Sequence, residues 1–300
     1  MSWLFIVIIA HFLNAGAFLV DKFLLVKAVP KAAVYAFWIG VLGIFAVVLL
    51  PFGYVRPTLG EFLFAATAGV LFQVALLFFF SALRWLETSR VVPVVGGGQP
   101  LIILAFSALF LGERLMTPEL IAFALLVLGT ALISIDTHDA TPAESIKQRR
   151  GWLYAVLATL FFSASFTMTK AVFDMQPFIS GFVWIRLGAF LFVFLFLFYT
   201  PWRHAILAKE ERPRGKYRAL FFGGQFSGAL GAILMNYAIS LASVTIVTAM
   251  QGIQYAFLFV LAIVLGRRFT QLRERLNAAI ILRKSSAIIL IGIGLVLLAR

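Results

Sequence analysis

The chemistry this chain can offer lies in a few polar side chains set inside long apolar runs. Gln99 follows Gly96, Gly97 and Gly98 and precedes Pro100, and its amide can both donate and accept hydrogen bonds. Pro100 removes a backbone donor while the glycines permit a break or a close approach. A discontinuous helix beside a binding amide is therefore expected, with tight packing through small residues as the alternative. Gln251, Gln254 and Tyr255 surround Gly252 in a similar setting later in the chain. Arg186 is a deep charge whose planar fork suits a carboxylate or phosphate, although a structural ion pair or helix-end carbonyls would also satisfy it. His11 and Asn14, three apart, share one helix face; they either line a cavity or bond to a neighbouring helix. Gln73, and Gln225 with Asn236, are weaker candidates of the same kind. Trp38 and Trp184 lie too deep for interfacial belt residues. They could wall an organic substrate or simply pack the core.

The elements that must position these groups are membrane helices. Hydrophobic residues make up 63% of the 300 and charged residues 12%, with mean hydropathy +1.04; a soluble surface needs roughly 25% charge. At about 20 apolar residues per crossing, the chain reads as ten transmembrane helices in an all-α fold. The first five are Trp3–Val20, Ala32–Leu50, Leu59–Leu83, Val91–Leu111 and Glu119–Ile135; the second five are Trp152–Phe173, Ser180–Thr200, Ala219–Leu241, Val244–Leu265 and Ala278–Ala299. The first begins almost at Met1 with no small-residue cleavage site, which reads as a retained helix. With no cysteine, disulfides and thiolate metal sites are excluded.

Residues 136–150 are polar and divide the chain into five-helix units, 1–135 and 151–300. Across this linker the halves repeat. Ala10, Phe18 and Lys22 fall on Ala158, Phe166 and Lys170; Trp38-Ile39 on Trp184-Ile185; Ser89 and Gly98 on Ser243 and Gly252; Leu111-Gly112 on Leu265-Gly266. An odd span count inverts the second copy relative to the first, and inverted repeats place their binding site at the midplane between them. The basic run Arg273 to Lys284 has no counterpart in the first copy and is expected as a surface helix before the last span.

The net charge of +13 reflects membrane orientation and contact with anionic lipid, with no nucleic-acid partner implied. Connections after the odd spans hold 20 of the Lys and Arg residues and the other connections and the C-terminus four, which puts the odd connections in the cytoplasm and both termini outside. Every acidic residue falls near a span end, so no central carboxylate carries protons. Uniport, exchange, or proton coupling through His11 remain. There is no phosphate-cradling loop with its Lys-Ser or Lys-Thr, no paired metal-ligand motif and no nucleophile with its base. Neither cofactor nor catalytic residue is expected.

The order of these features resembles the EamA-type members of the drug/metabolite transporter superfamily. The resemblance rests on two halves of five spans, a Pro or Gly in each fourth span, Leu-Gly-Glu-Arg-Leu at Leu111 to Leu115, Lys22 and Lys170 closing each first span, and Arg186. It implies two inverted five-helix repeats around a central cavity, and export or exchange of small metabolites such as amino acids. Gly40 stands where the resemblance leads one to expect a first-repeat arginine, and Arg267 where it leads one to expect a glutamate. Many such proteins keep their termini in the cytoplasm, against the charge tally.

The leading expectation is a secondary transporter working by alternating access, multi-pass in a bacterial inner membrane. Its partners would be a small-molecule substrate and membrane lipids, and one chain supplies both halves, so a monomer would suffice. The alternative is an intramembrane enzyme or lipid-handling protein, its basic connections Arg203–Arg218 and Arg267–Lys284 recruiting headgroups. A third is a passive channel.

Overall fold

The computed structural model describes residues 2–27, 32–86, 88–134, 145–208, 215–266 and 278–299, and these residues contain no strand. Twelve α-helices follow one another: α1 Ser2–Lys27, α2 Ala32–Leu42, α3 Leu59–Trp85, α4 Thr88–Phe106, α5 Thr117–Ser134, α6 Ser145–Met175, α7 Phe178–Val193, α8 Thr200–Leu207, α9 Lys216–Leu241, α10 Val244–Ala249, α11 Gln251–Gly266 and α12 Ala278–Leu298. Among the described residues nine helices are long and apolar enough to cross a membrane. Where the remaining span is expected, Thr117–Ile133 is an apolar helix shorter than these nine. The linker is partly helical, since α6 begins at Ser145, while 135–144 lie outside the described residues.

The second span of each half tightens into a 3₁₀ helix towards its C-terminal end, at Gly43–Phe52 and again at Phe194–Phe198. Both halves thus share a local distortion that their uniformly apolar sequence does not announce. The fourth spans differ. α4 runs unbroken through Gly96 to Pro100 and only afterwards widens into a π turn at Ser107–Leu111. The expected discontinuity there is absent: Pro100 removes the helix donor of the Gly96 carbonyl alone, and hydroxyls of other helices add bonds to carbonyls on either side of it. Ser163 donates to the Gln99 carbonyl at 3.2 Å and Tyr255 to that of Val92 at 3.3 Å. The break occurs instead in the second half, where buried Met250 separates α10 from α11.

Leu111-Gly112-Glu113 now has a physical account. Gly112 ends the span in the left-handed region at φ 66°, where glycine pays no Cβ penalty. Glu113 then reaches α10, accepting a 2.9 Å bond from the Thr245 hydroxyl, which also pairs with Ser107 at 2.7 Å. The motif ties the fourth span of the first half to the ninth span of the chain.

The halves interlock crosswise: α1 packs on α9 and α6 on α3. Each crossing carries a serine bonded to the facing backbone, Ser227 to Leu13 at 2.9 Å and Ser165 to Ala68 at 2.9 Å. α5 and α12 meet through Gly129 and Gly294. The seam between α3 and α7 is sealed by Gly69, whose added Cβ would lie 1.9 Å from the Ile185 carbonyl oxygen, and by Gly188 against the Ala66 backbone. Residues 267–277 lie outside the described residues, but Arg283 and Lys284 sit in the first turns of α12. This corrects the surface-helix expectation for that end of the basic run: Lys284 is buried with its ammonium 4.5 Å from the Phe259 ring centroid.

Candidate functional site

A cavity of about 1310 Å³ opens between the two halves, larger than the ~300–1,000 Å³ of common ligand pockets. Its wall draws on α1, the second span, α3, α4, α6, α7, α9 and α11. It reaches Leu83 and Arg84 at the end of α3, the face that carries most of the basic connections. The opposite face is shut. There the loop before α3 meets the start of α7, with Ser180 donating to the Val55 carbonyl at 2.8 Å and Gly53 against Ile179. Just beyond, the glycine seam of α3 and α7 closes the wall.

Seven of the eleven expected site residues line this cavity: Asn14, Gln99, Arg186, Gln225, Gln251, Gln254 and Tyr255. They come from both halves. Gln251 donates to Gln254 at 3.0 Å, and Gln225 donates to the Tyr35 hydroxyl at 3.4 Å. Tyr255 reaches Val92 only because Gly96 lacks a side chain, since a Cβ there would lie 1.8 Å from the phenolic oxygen. The glycine cluster thus makes room for a side chain of the other repeat.

Four expected residues stand elsewhere. Gln73 is buried and donates to the Ala36 carbonyl, joining α3 to α2. Trp38 packs edge-on against Phe37. Trp184 donates to Ser180 at 3.1 Å and packs against Tyr54 and Phe62 on the shut face. His11 is fully buried behind the wall, its ring nitrogens without a partner of good geometry and Gln254 the neighbouring polar group. A helix buried on several sides shows no apolar stripe that would tell its cavity face from its packing faces.

Arg186 is the cavity's deep charge. Its guanidinium carbon lies 5.2 Å from the Phe72 ring centroid and 5.1 Å from that of Phe182, contacts worth about 0.5–2 kcal/mol each. Among the described residues no carboxylate pairs with it; Lys170 with Asp174, at 2.7 Å, is the ion pair found there. The fork is therefore available to an anion. Gly40, its counterpart by the repeat, could not be arginine without displacing Val193 and Gln73, which a Cβ would meet at 2.4 and 3.2 Å. The deep guanidinium therefore has no equivalent in the first half.

Phe72, Phe162, Phe166 and Phe182 add aromatic walls that the sequence reading did not single out. With 33 phenylalanines in the chain, residue type alone could not have found them. Asn236 also lines the cavity while its amide donates to the Ala232 carbonyl at 2.8 Å. No group of three or more metal-ligating side chains occurs among the described residues.

Residues 1–135 match the EamA-like transporter family. A crystal structure of another protein shares the fold with a TM-score of 0.74 and 18% identity, covering 99% of this chain and 96% of that one. No curated protein matches. Over residues 1–135 the match is to a transporter family, and it supports the resemblance to EamA-type members of the drug/metabolite transporter superfamily.

Proposed function

We propose that the chain is a secondary carrier that moves a small organic anion or zwitterion, such as an amino acid, by alternating access. The observation that carries this reading is one large cavity walled by both halves, with Arg186 in it and no acidic partner among the described residues. A carboxylate would take the guanidinium fork. An ammonium on the same substrate would meet amide oxygens of Gln99, Gln251 or Asn14, and an apolar side chain would meet the phenylalanines.

The alternation has a structural basis in two seams related by the repeat. The offset that places Gly98 on Gly252 also places Gly69 on Gly223 and Phe72 on Phe226. Gly69 is pressed against α7, whereas a Cβ on Gly223 would meet nothing within 4 Å. The first seam is shut at Gly69, whereas its counterpart leaves Gly223 uncovered and is bridged through Tyr35, which meets Phe221 and Gln225. Exchange of these roles would close the cavity to the basic face and open it to the other, as inverted repeats allow. The family matched over residues 1–135 being one of transporters, the role proposed is a non-enzymatic one.

Counterflow uptake in proteoliposomes, preloaded in turn with amino acids, nucleosides, sugar phosphates and organic cations, tests the reading. Saturable uptake with an amino-acid or other carboxylate preload, lost in Arg186→Gln, is expected. Preference for organic cations would sink it.

A further inference from the structure

The cavity has a side window. Its rails are the 3₁₀ segment Gly43–Phe52 and the face of α9 that does not pack on α1. Phe45, Val48 and Phe226 line the cavity and are nevertheless 67%, 67% and 68% exposed, so the wall there is also the outer surface of the protein. The window has two sills. Towards the basic face Tyr35 meets Phe221, with ring centroids 6.1 Å apart, and bonds to Gln225. Towards the shut face Phe178 meets Tyr237 at 5.0 Å. Between them, among the described residues, Gly43–Phe52 and α9 do not pack closely on one another.

From Phe221 to Tyr237 α9 rises about 24 Å, most of the ~30 Å hydrocarbon core. The opening therefore faces lipid tails, not water, and its rails are apolar accordingly. Inside, Arg186 lies against Gly43 at the start of that segment, and its guanidinium sits close to both Phe72 and Phe182. A cavity that fully enclosed a water-soluble solute would have no use for an unsealed apolar side. One that holds an anionic head on Arg186 while a tail leaves through the window would need this arrangement.

We propose that the substrate class extends to amphipathic carboxylates whose apolar tail projects from the cavity through this window into the bilayer. The proposal rests on the carrier reading above and names a substrate class for the same site. The head reaches Arg186 from the basic-face mouth. Once the head is bound, the tail lies in the window among apolar surroundings, so tail length is not limited by the cavity's volume.

The chain has no cysteine, which makes a clean test available. The Val48→Cys/Phe226→Cys double variant, in nanodiscs, is bridged with a flexible bis-maleimide long enough to lie across the window without drawing it shut. Equilibrium binding of hexanoate and of hexadecanoate is measured before and after bridging, with Arg186→Gln as the head-group control. Binding requires no alternation, so a hindered transport cycle does not confuse the result. The expected result is that bridging weakens hexadecanoate at least tenfold and leaves hexanoate within twofold, while Arg186→Gln weakens both. Unchanged hexadecanoate binding after bridging would overturn the window, and so would equal loss of the two anions. An unbridged protein that binds hexanoate but not hexadecanoate would also overturn it and leave the carrier reading standing. Failure of the unbridged protein to bind either anion refutes the anion reading itself.

Discussion

Replacing Arg186 by leucine has effects of opposite sign on stability and on substrate binding. The substitution removes a charge held deep in a span, where an arginine costs about 2.5–3.5 kcal/mol on an insertion scale. It also removes the two contacts to Phe72 and Phe182, about 0.5–2 kcal/mol each. No ion pair among the described residues is broken, so no carboxylate is left buried and unpaired. The balance favours the variant by ~1 kcal/mol, reduced to the extent that water in the cavity already solvates the guanidinium. Binding goes the other way, because a hydrogen bond to a charged group is worth about 1.5–3 kcal/mol, or roughly 10- to 150-fold in affinity for a carboxylate. Arg186→Lys keeps the charge but loses the fork and should fall between the two. Thermal unfolding of detergent-solubilised protein and counterflow uptake, measured on the same preparations, give both signs. A leucine variant that is less stable than the parent and still transports would refute the assignment, since Arg186 would then be a structural cation.

Gln99→Leu should abolish uptake while leaving the unfolding midpoint within a few degrees, because among the described residues the Gln99 side chain makes no hydrogen bond; wild-type flux would remove Gln99 from the site. Gly96→Ala should destabilise by about 1–3 kcal/mol through overpacking against Tyr255, and Tyr255→Phe should relieve part of that cost, a coupling that a double-mutant cycle of unfolding free energies would read. Gly69→Val and Gly188→Val should force the α3–α7 seam apart, seen as new thiol accessibility of a cysteine placed at Phe62; an unchanged label would show that the seam is not the barrier. Glu113→Ala should cost about 1–3 kcal/mol by removing the carboxylate that Thr245 reaches, measured as a lower unfolding midpoint.

The spans, the repeat and the deep polar residues were legible because each rests on a coarse signal. About twenty apolar residues make a crossing, matched landmarks recur at fixed offsets, and an amide or guanidinium in hydrocarbon is costly enough to mark itself. Direction around the helix axis was not legible. Gln73 and Gln99 look equivalent in sequence, yet one bonds to the Ala36 carbonyl and the other faces the cavity. Trp38 and Trp184 likewise turned to packing and to the shut face. The Gly96 to Pro100 cluster suggests a break because Pro100 removes a backbone donor and the glycines permit a discontinuity. Only the Gly96 carbonyl loses its helix donor, α4 continues, and the glycines serve the close approach of Tyr255 instead. The break at Met250 carries no proline. It follows from the buried turn between α10 and α11, which only the packing of both halves determines.

The repeat also constrains what the asymmetric residues can be doing. If the two halves were identical, exchanging their conformations would give end states of equal energy, and a cavity with the same lining at each. This chain departs from that symmetry where the anion would sit: Arg186 in one half, and in the other Gly40, packed too closely to accept a side chain. The charge therefore stays with α7 in both states, and α7 is half of the seam that now closes the wall against α3. Opening that seam would pull Ile185 and Gly188 from Gly69 and Ala66 and separate Phe72, on α3, from Arg186, on α7. An anion bound to the fork would offset the lost aromatic contact in the new state. Substrate binding and seam opening are then linked through one residue. Arg186→Gln should accordingly abolish the substrate's effect on the accessibility of the cysteine at position 62, whereas a residue that only bound substrate would lower its affinity and leave that effect intact at saturation.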